Sequence, residues 1–403
     1  MFTGCGILIG PAVLDIVGIE HDFAALTALL EAALTLVLFT DAMAVRRRDL
    51  ATGDFLPGRL LGIGLPLSIA AGWLLAWPLL PGLTAWELAL VGAILAPTDA
   101  ALGKSAMSDP RVPALVREGL NVESGLNDGM VLPFFVVFLA AIPGTSYAHE
   151  GVAGTFWRAL LLSSALGLLV GGCGGRLLQA ARARGWVARE WGQILVPAVA
   201  VVSYELAVIT DGSGFIAAWV AGFAFGYTLR HFPVSAGTGP DSGDDTSEFA
   251  ETLAGLLASV SLMLFGAVLL GPTLQHLTWK LVLYAVLSLT AVRMLPVVLS
   301  LLGSGLRPPT VAYVGWFGPR GLASVVLALL VVEAHVPGTE TVGRVVAVTV
   351  GLSVLLHGVS AVALAGWYGA WFRRTSAAAG HELREGAIAP ENPGLPAGPG
   401  PTR

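Results

Sequence analysis

Residues 94–99 read Ile94-Leu95-Ala96-Pro97-Thr98-Asp99 and interrupt the apolar run 86–105 with a proline and an acid. A second stretch, Gly315-Trp316-Phe317-Gly318-Pro319-Arg320-Gly321, interrupts the run 309–334 in the same way, with a base in place of the acid. Proline lacks an amide donor and clashes with the carbonyl four residues earlier, so each run is expected to break mid-span. Matched interruptions of this kind point to membrane proteins with discontinuous helices, whose freed carbonyls and half-helix ends form an ion site at the midplane. An acid such as Asp99 can balance positive half-helix N-termini, and Arg320 can balance negative C-termini. The plainer alternative is two proline kinks whose charges snorkel to the interface.

Working outward, the 403 residues are 55% apolar and only 12% charged. With a mean hydropathy of +0.77, the chain has too little polar surface for a water-soluble enzyme. The net charge of −5 leaves no basic face for nucleic acid. Cys5 and Cys173 lie far apart in apolar segments, which supports neither a disulfide framework nor a metal cluster. Apolar runs bounded by charge, Gly or Pro give twelve expected spans: 2–19, 23–45, 59–80, 86–105, 112–141, 155–181, 191–209, 213–230, 250–271, 277–303, 309–334 and 341–372. No basic stretch precedes the first, so a cleavable signal peptide is not expected. Residues 373–403, rich in Ala, Gly, Pro and charge, read as a disordered tail. The fold class is therefore all-α, polytopic, with about twelve transmembrane helices.

The interrupted spans are the fourth and the eleventh. A seven-span offset makes spans one to five repeat as eight to twelve, and an odd offset inverts the repeat in the membrane. Basic residues test the orientation, because Lys and Arg are retained on the cytoplasmic side. Alternate loops and the tail carry 17 of the 22 bases and the opposite side carries three, Arg158, Lys280 and Arg344. Both termini are thus expected to be cytoplasmic.

The remaining two bases, Arg293 and Arg320, fall inside spans, as do Asp41, Asp99, Glu123 and Asp128. Each such group costs about 2.5–3.5 kcal/mol near the bilayer centre, so these residues are expected to face one another or a wet cavity. Two bases can pair with two of the four acids, which leaves two acids for a cation. The densest group is Glu123-Ser124-Gly125-Leu126-Asn127-Asp128-Gly129. On a helix Glu123 and Asn127 share one stripe, and Ser124 and Asp128 share the neighbouring one. One stripe can pair with a basic helix while the other offers oxygens to a hard cation. A cytoplasmic loop with polar caps is the blander alternative.

Five ordered motifs, Ala96-Pro97-Thr98-Asp99-Ala100, Asp109-Pro110-Arg111-Val112-Pro113, Glu123 to Gly129, Arg293-Met294-Leu295-Pro296 and Gly318-Pro319-Arg320-Gly321, resemble the monovalent cation:proton antiporter-1 family, of NhaP and NHE type. The resemblance covers residues 2–372. It implies the inverted-repeat antiporter fold with two discontinuous crossing helices over a membrane domain of 1–372. Within it, a moving core would span 59–141 and 277–372, and a dimerisation scaffold 1–45 and 155–271. It further implies a cell-membrane homodimer in a lipid bilayer that exchanges Na+, or K+ or Li+, for H+ without a cofactor. Carried over by residue, Asp128 binds cation or proton, Ser124 and Thr98 add oxygens to the cation, and Asp41 stands near the site on an earlier helix. Glu123 and Arg293 form a buried ion pair, and Arg320 and Asp99 are the charges at the crossed breaks. Asn127 before the essential acid implies electroneutral one-for-one exchange. Relatives carry a longer run before the first Gly-Pro, so the resemblance also implies that a first helix and part of a second are missing here.

His357 within the last span reads as a hydrogen-bonded packing residue, with a pH sensor as the alternative, while Glu31 in the helix of Asp41 and Glu205 beside Tyr204 fit either the lining of a path or polar packing between helices. Asp241, Asp244, Asp245, Glu248 and Glu251 read as a solvated cytoplasmic loop, with regulatory binding of cations or protons as the alternative. Two rival functions use the same intramembrane charges. A cation channel needs an open pore, and an intramembrane aspartyl protease would have to pair Asp99 with Asp128.

Overall fold

The computed structural model describes residues 1–16, 23–45, 56–107, 109–145, 151–231 and 244–379, with Leu383 and Glu385. All regular structure among them is helical. In chain order the helices are α1 (Phe2–Ile9), α2 (Phe23–Ala44), α3 (Leu56–Leu79), α4 (Ala85–Ile94), α5 (Ala100–Met107), α6 (Ala114–Ala140), α7 (Gly151–Ala183), α8 (Arg189–Val208) and α9 (Gly214–His231). There follow α10 (Asp244–Phe265, continued to Leu274), α11 (Trp279–Leu289), α12 (Ala291–Ser300), α13 (Pro308–Trp316), α14 (Leu322–Glu333) and α15 (Thr339–Ala379). Among the described residues, eight helical stretches are long and apolar enough to cross a membrane. The interrupted fourth and eleventh spans appear as the short pairs α4/α5 and α13/α14.

Local sequence explains most of the boundaries. Thr84 and Glu87 cap α4 reciprocally, the Glu87 carboxylate accepting the Thr84 N–H at 2.7 Å. In α3 the turn Leu60–Gly64 is widened to a π-turn just before Pro66, and in α10 the turn Gly266–Leu270 is widened just before Pro272. A proline ring removes one helical hydrogen bond and pushes against the preceding turn, and a π-turn relieves both. The tenth span is interrupted at Thr290 (φ −108°, ψ −86°), so spans three and ten, again seven apart, both carry an irregularity.

Three boundaries differ from the sequence expectations. Among the described residues 2–16 of the first span, expected over 2–19, only the eight residues Phe2–Ile9 are helical, because Gly10-Pro11 stops the helix. At about 1.5 Å per residue that is too short for a hydrocarbon core of about 30 Å. The ninth span begins its helix, α10, at Asp244 rather than near 250, which makes Asp244, Asp245, Glu248 and Glu251 helical rather than loop residues. Acids are favoured in a first helical turn by the peptide dipoles. Asp241 lies outside the described residues. The last helix continues to Ala379, so 373–379 are helical where a disordered tail was expected. Ala377 to Ala379 are the strongest helix formers, and the Thr375 hydroxyl bonds back to the Trp371 carbonyl at 2.9 Å. Of the remaining tail only Leu383 and Glu385 are described, and both are buried.

Buried apolar side chains form separate clusters. One joins α2, α7, α8, α9 and α10 through Phe39, Leu178, Val199, Phe225 and Ala254. Gly171 permits its closest helix approach, since a Cβ there would lie 2.2 Å from the Ala221 carbonyl oxygen. Another joins α3, α5, α6, α12, α13 and α15 through Leu60, Met107, Leu120, Val314 and Tyr368. The largest draws on helices of both, α2 and α3 among them, and includes both short half-helices α4 and α14. Exposed Trp77, Trp86, Trp157 and Trp279 sit at helix ends on one side of the topology, and Trp186 and Trp191 at the opposite end. Indole rings favour the two membrane interfaces in this way.

Candidate ion site at the crossed helix breaks

The two interrupted spans meet at their breaks. The Asp99 N–H donates to the Pro319 carbonyl at 2.7 Å, and the Arg320 guanidinium donates to the Pro97 carbonyl at 3.0 Å. The Ser324 hydroxyl donates to the Ile94 carbonyl, the last of α4, at 2.7 Å. Carbonyls freed at the end of α4 are thus met by groups from the other span, as buried backbone oxygens require. The Asp99 carboxylate accepts N–H groups from both half-helices, Ala101 of α5 at 2.8 Å and Leu322 of α14 at 3.0 Å. Gly321 makes this possible, because a Cβ there would stand 1.9 Å from Asp99 Oδ2.

Beside the crossing, α6 carries the polar stripes expected from residues 123–129. The Arg293 guanidinium, from α12, donates to both Glu123 carboxylate oxygens at 2.8 and 3.0 Å, with both side chains buried. Gly318 leaves room for it, since a Cβ would come within 2.4 Å of Arg293 Nε. The Asn127 amide donates to Thr98 Oγ1 at 2.5 Å and to Glu123 at 3.4 Å, and Thr98 Oγ1 lies 2.9 Å from Ser124 Oγ. Five expected site residues, Thr98, Glu123, Ser124, Asn127 and Arg293, therefore form one buried network.

Asp128 stands apart from that network. It is 8% exposed, and its Oδ1 is buried with no hydrogen-bond partner. It lines a cavity of about 540 Å³ that also touches Thr40, Asp41, Asp99, Glu118, Asn121 and Glu251. Gly125 lets α2 come close here, a Cβ meeting that of Asp41 at 3.2 Å. The structure thus brings Asp41, Asp99 and Asp128 to one space, while Thr98 and Ser124, bonded to each other, do not border it. Among the described residues no group of three or more His, Cys, Asp or Glu side chains has metal-binding geometry. Opposite lies a second cavity of about 520 Å³, lined by Glu31, Leu132, Phe135, Arg158, Tyr204 and Glu333. Helices α2, α6 and α14 border both cavities, and on α6 only one turn separates Asp128 from Leu132.

Of the two acids with a path or packing reading, Glu31 borders a cavity, whereas Glu205 is exposed and borders neither space. Ser324, Ser353 and the glycines 318 and 321 carry site contacts that the sequence reading did not single out. The glycines stood in a quoted motif, which was the available signal; the serines stood in apolar runs with none.

Residues 1–367 match the family described as sodium/hydrogen exchanger, transmembrane. The chain is 26% identical to the Na(+)/H(+) antiporter 2 of Zygosaccharomyces rouxii over 68% of its length and 35% of the relative's. It is also 26% identical to the K(+)/H(+) antiporter NhaP of Alkalimonas amylolytica, over 83% of this chain and 56% of that one. It therefore spans about a third to a half of the length of these curated relatives. Its fold is that of the sodium proton antiporter MjNhaP1 from Methanocaldococcus jannaschii, with a TM-score of 0.73 at 21% identity and 90% coverage of each chain. With the family match running from the first residue to within α15, the chain belongs to the transmembrane sodium/hydrogen exchanger family.

Proposed function

We propose that the protein exchanges a monovalent cation, Na+ or K+ or Li+, for H+ across a cell membrane. Asp128 is the carboxylate that carries one or the other. The observation that supports this reading is its unpartnered, buried Oδ1 at the wall of a cavity that an ion can enter. An ionised carboxylate without partners is costly to enclose, so the site favours crossing when it holds a cation or a proton and disfavours crossing empty. Competition between the two ions then couples their fluxes without ATP or cofactor.

Ser124, one turn before Asp128 on the same face, and Thr98 beside it supply further oxygens as the site closes on the ion. Asp41 and Asp99 make the approach electronegative. Asn127 is engaged by Thr98 and Glu123, which suits a neutral structural partner and one-for-one electroneutral exchange. The cavity borders Val45, Glu118 and Glu251, next to the loops that hold most of the bases, which supports a site open to the cytoplasm with both termini on that side. The apolar cluster of α2 and α7 to α10 corresponds to a scaffold that pairs two copies, and that of α3, α5, α6, α12, α13 and α15 to the moving core.

Purified protein in liposomes with an internal pH dye tests the reading. A gradient of Na+, K+ or Li+ should drive proton counterflow at the same rate with and without a potential clamp. Asp128→Asn should abolish it. A cation current without proton counterflow would establish a channel instead, and undiminished exchange by Asp128→Asn would remove Asp128 from its role.

A further inference from the structure

In an unbroken helix the Arg320 N–H would donate to the Trp316 carbonyl four residues back, and the break at 317–321 removes that bond. Both groups nevertheless have partners on α15, and the Trp316 carbonyl also accepts the Gly318 N–H at 2.8 Å within the break. The Arg320 N–H donates to Ser353 Oγ at 2.7 Å, and Nε2 of His357 lies 2.9 Å from the Trp316 carbonyl oxygen. Ser353 and His357 are themselves joined, Nδ1 standing 3.2 Å from Ser353 Oγ and 2.9 Å from the Ser353 carbonyl oxygen. A carbonyl only accepts, so Nε2 carries a proton. Nδ1 then either accepts the Ser353 hydroxyl proton or, when protonated, donates to the Ser353 carbonyl, and the bridge persists in both forms. Three turns of α15 share the task, since Ser360, at the next position on this stripe, accepts the Trp316 indole N–H at 3.0 Å. Ser353 and His357 are buried, 0% and 2% exposed, and Arg320 is 0% exposed, so water does not substitute for them.

We infer that Ser353 and His357 form a side-chain splice that replaces the 320-to-316 backbone hydrogen bond lost at the break and holds α13 and α14 in register. They are positioning residues: neither borders the cavity of Asp128. They act through Arg320, whose guanidinium reaches the Pro97 carbonyl of the other broken span, and through α14, whose first amide is held by Asp99. A backbone bond would fix the two halves as one rod. A splice anchored on α15 instead makes their relative placement depend on that helix. The inference rests on the proposed transport only for its functional consequence; the splice itself is read directly from amide exchange.

Hydrogen exchange of residues 317–321 in the purified full chain is the test, with Ser353→Ala, His357→Leu, His357→Gln and the Ser353→Ala/His357→Leu double variant. The two disrupting single variants should speed exchange there by roughly tenfold, the scale of one buried hydrogen bond, and leave α8 and α9 unchanged. The double variant should be no worse than the more severe single one, because the two side chains act as one unit. Gln keeps an N–H toward Trp316 and should restore protection. In liposomes His357→Leu should lower turnover with KM held within about twofold, and Gln should recover it. Unchanged exchange in both disrupting variants, additive effects in the double variant, or failure of Gln to restore protection would each overturn the splice. Absence of transport by the unaltered protein would instead overturn the proposed function and leave the exchange result standing.

Discussion

Asp99 Oδ2 accepts the backbone N–H of Leu322 at 3.0 Å, so one carboxylate on the first broken span fastens the start of a half-helix on the second. Its other oxygen caps its own half-helix through the Ala101 and Leu102 amides. A capping side chain contributes about 0.5–2 kcal/mol per helix end, so Asp99→Ala should destabilise the protein by about 2 kcal/mol in thermal unfolding. Asp99→Asn, which still accepts hydrogen bonds, should lose less. Equal melting of Asp99→Ala and the unaltered chain would show that the crossing does not depend on this carboxylate.

Gly321→Ala should be as harmful as Asp99→Ala, because its methyl group would overlap the Asp99 carboxylate. Gly318→Ala should likewise displace Arg293. Gly62→Ala and Gly358→Ala are the controls, with open space around the added carbon, and should leave the melting temperature unchanged or raised. Matching losses at all four positions would point to a general intolerance rather than to the crossing.

For the Glu123–Arg293 pair, removing one partner strands the other as a buried charge. Glu123→Gln or Arg293→Met alone should cost about 3–5 kcal/mol, and the two together distinctly less. A double-variant cycle by thermal unfolding measures this, and simple additivity would deny that the two groups depend on each other.

Outside the membrane, the Arg111 guanidinium donates to both Asp109 oxygens, at distances of 2.6–3.1 Å, and holds that carboxyl down to about 2. The folded value lies below the unfolded one of about 3.9, so its contribution is present above pH 4 and is lost as pH falls toward 2. Pepsin nicking of the 109–113 turn should therefore rise between pH 4 and 2. Asp109→Asn should be nicked already at pH 4, and a flat, identical profile for both proteins would exclude this latch.

Much of this was legible in the chain because lipid punishes polarity. Twelve apolar stretches, the asymmetry of the bases and the two interruptions were set by composition and local order, and so were the stripes of Glu123 with Asn127 and Ser124 with Asp128. Where local rules were misread, the cause was local too: Gly10-Pro11 ended α1 early, and Ala377 to Ala379 prolonged α15.

What sequence alone determined is which residues must be rescued from the bilayer; what only the tertiary structure decided is who rescues them. Arg293 found Glu123 across 170 positions, Arg320 found the Pro97 carbonyl across 223, and a serine and a histidine on α15 found the two ends of a break they do not adjoin. Such pairings depend on angles and distances between helices, which no local pattern encodes. Asp128 was left without a hydrogen-bond partner for one oxygen for the same reason, since its surroundings are a cavity formed by several separate helices.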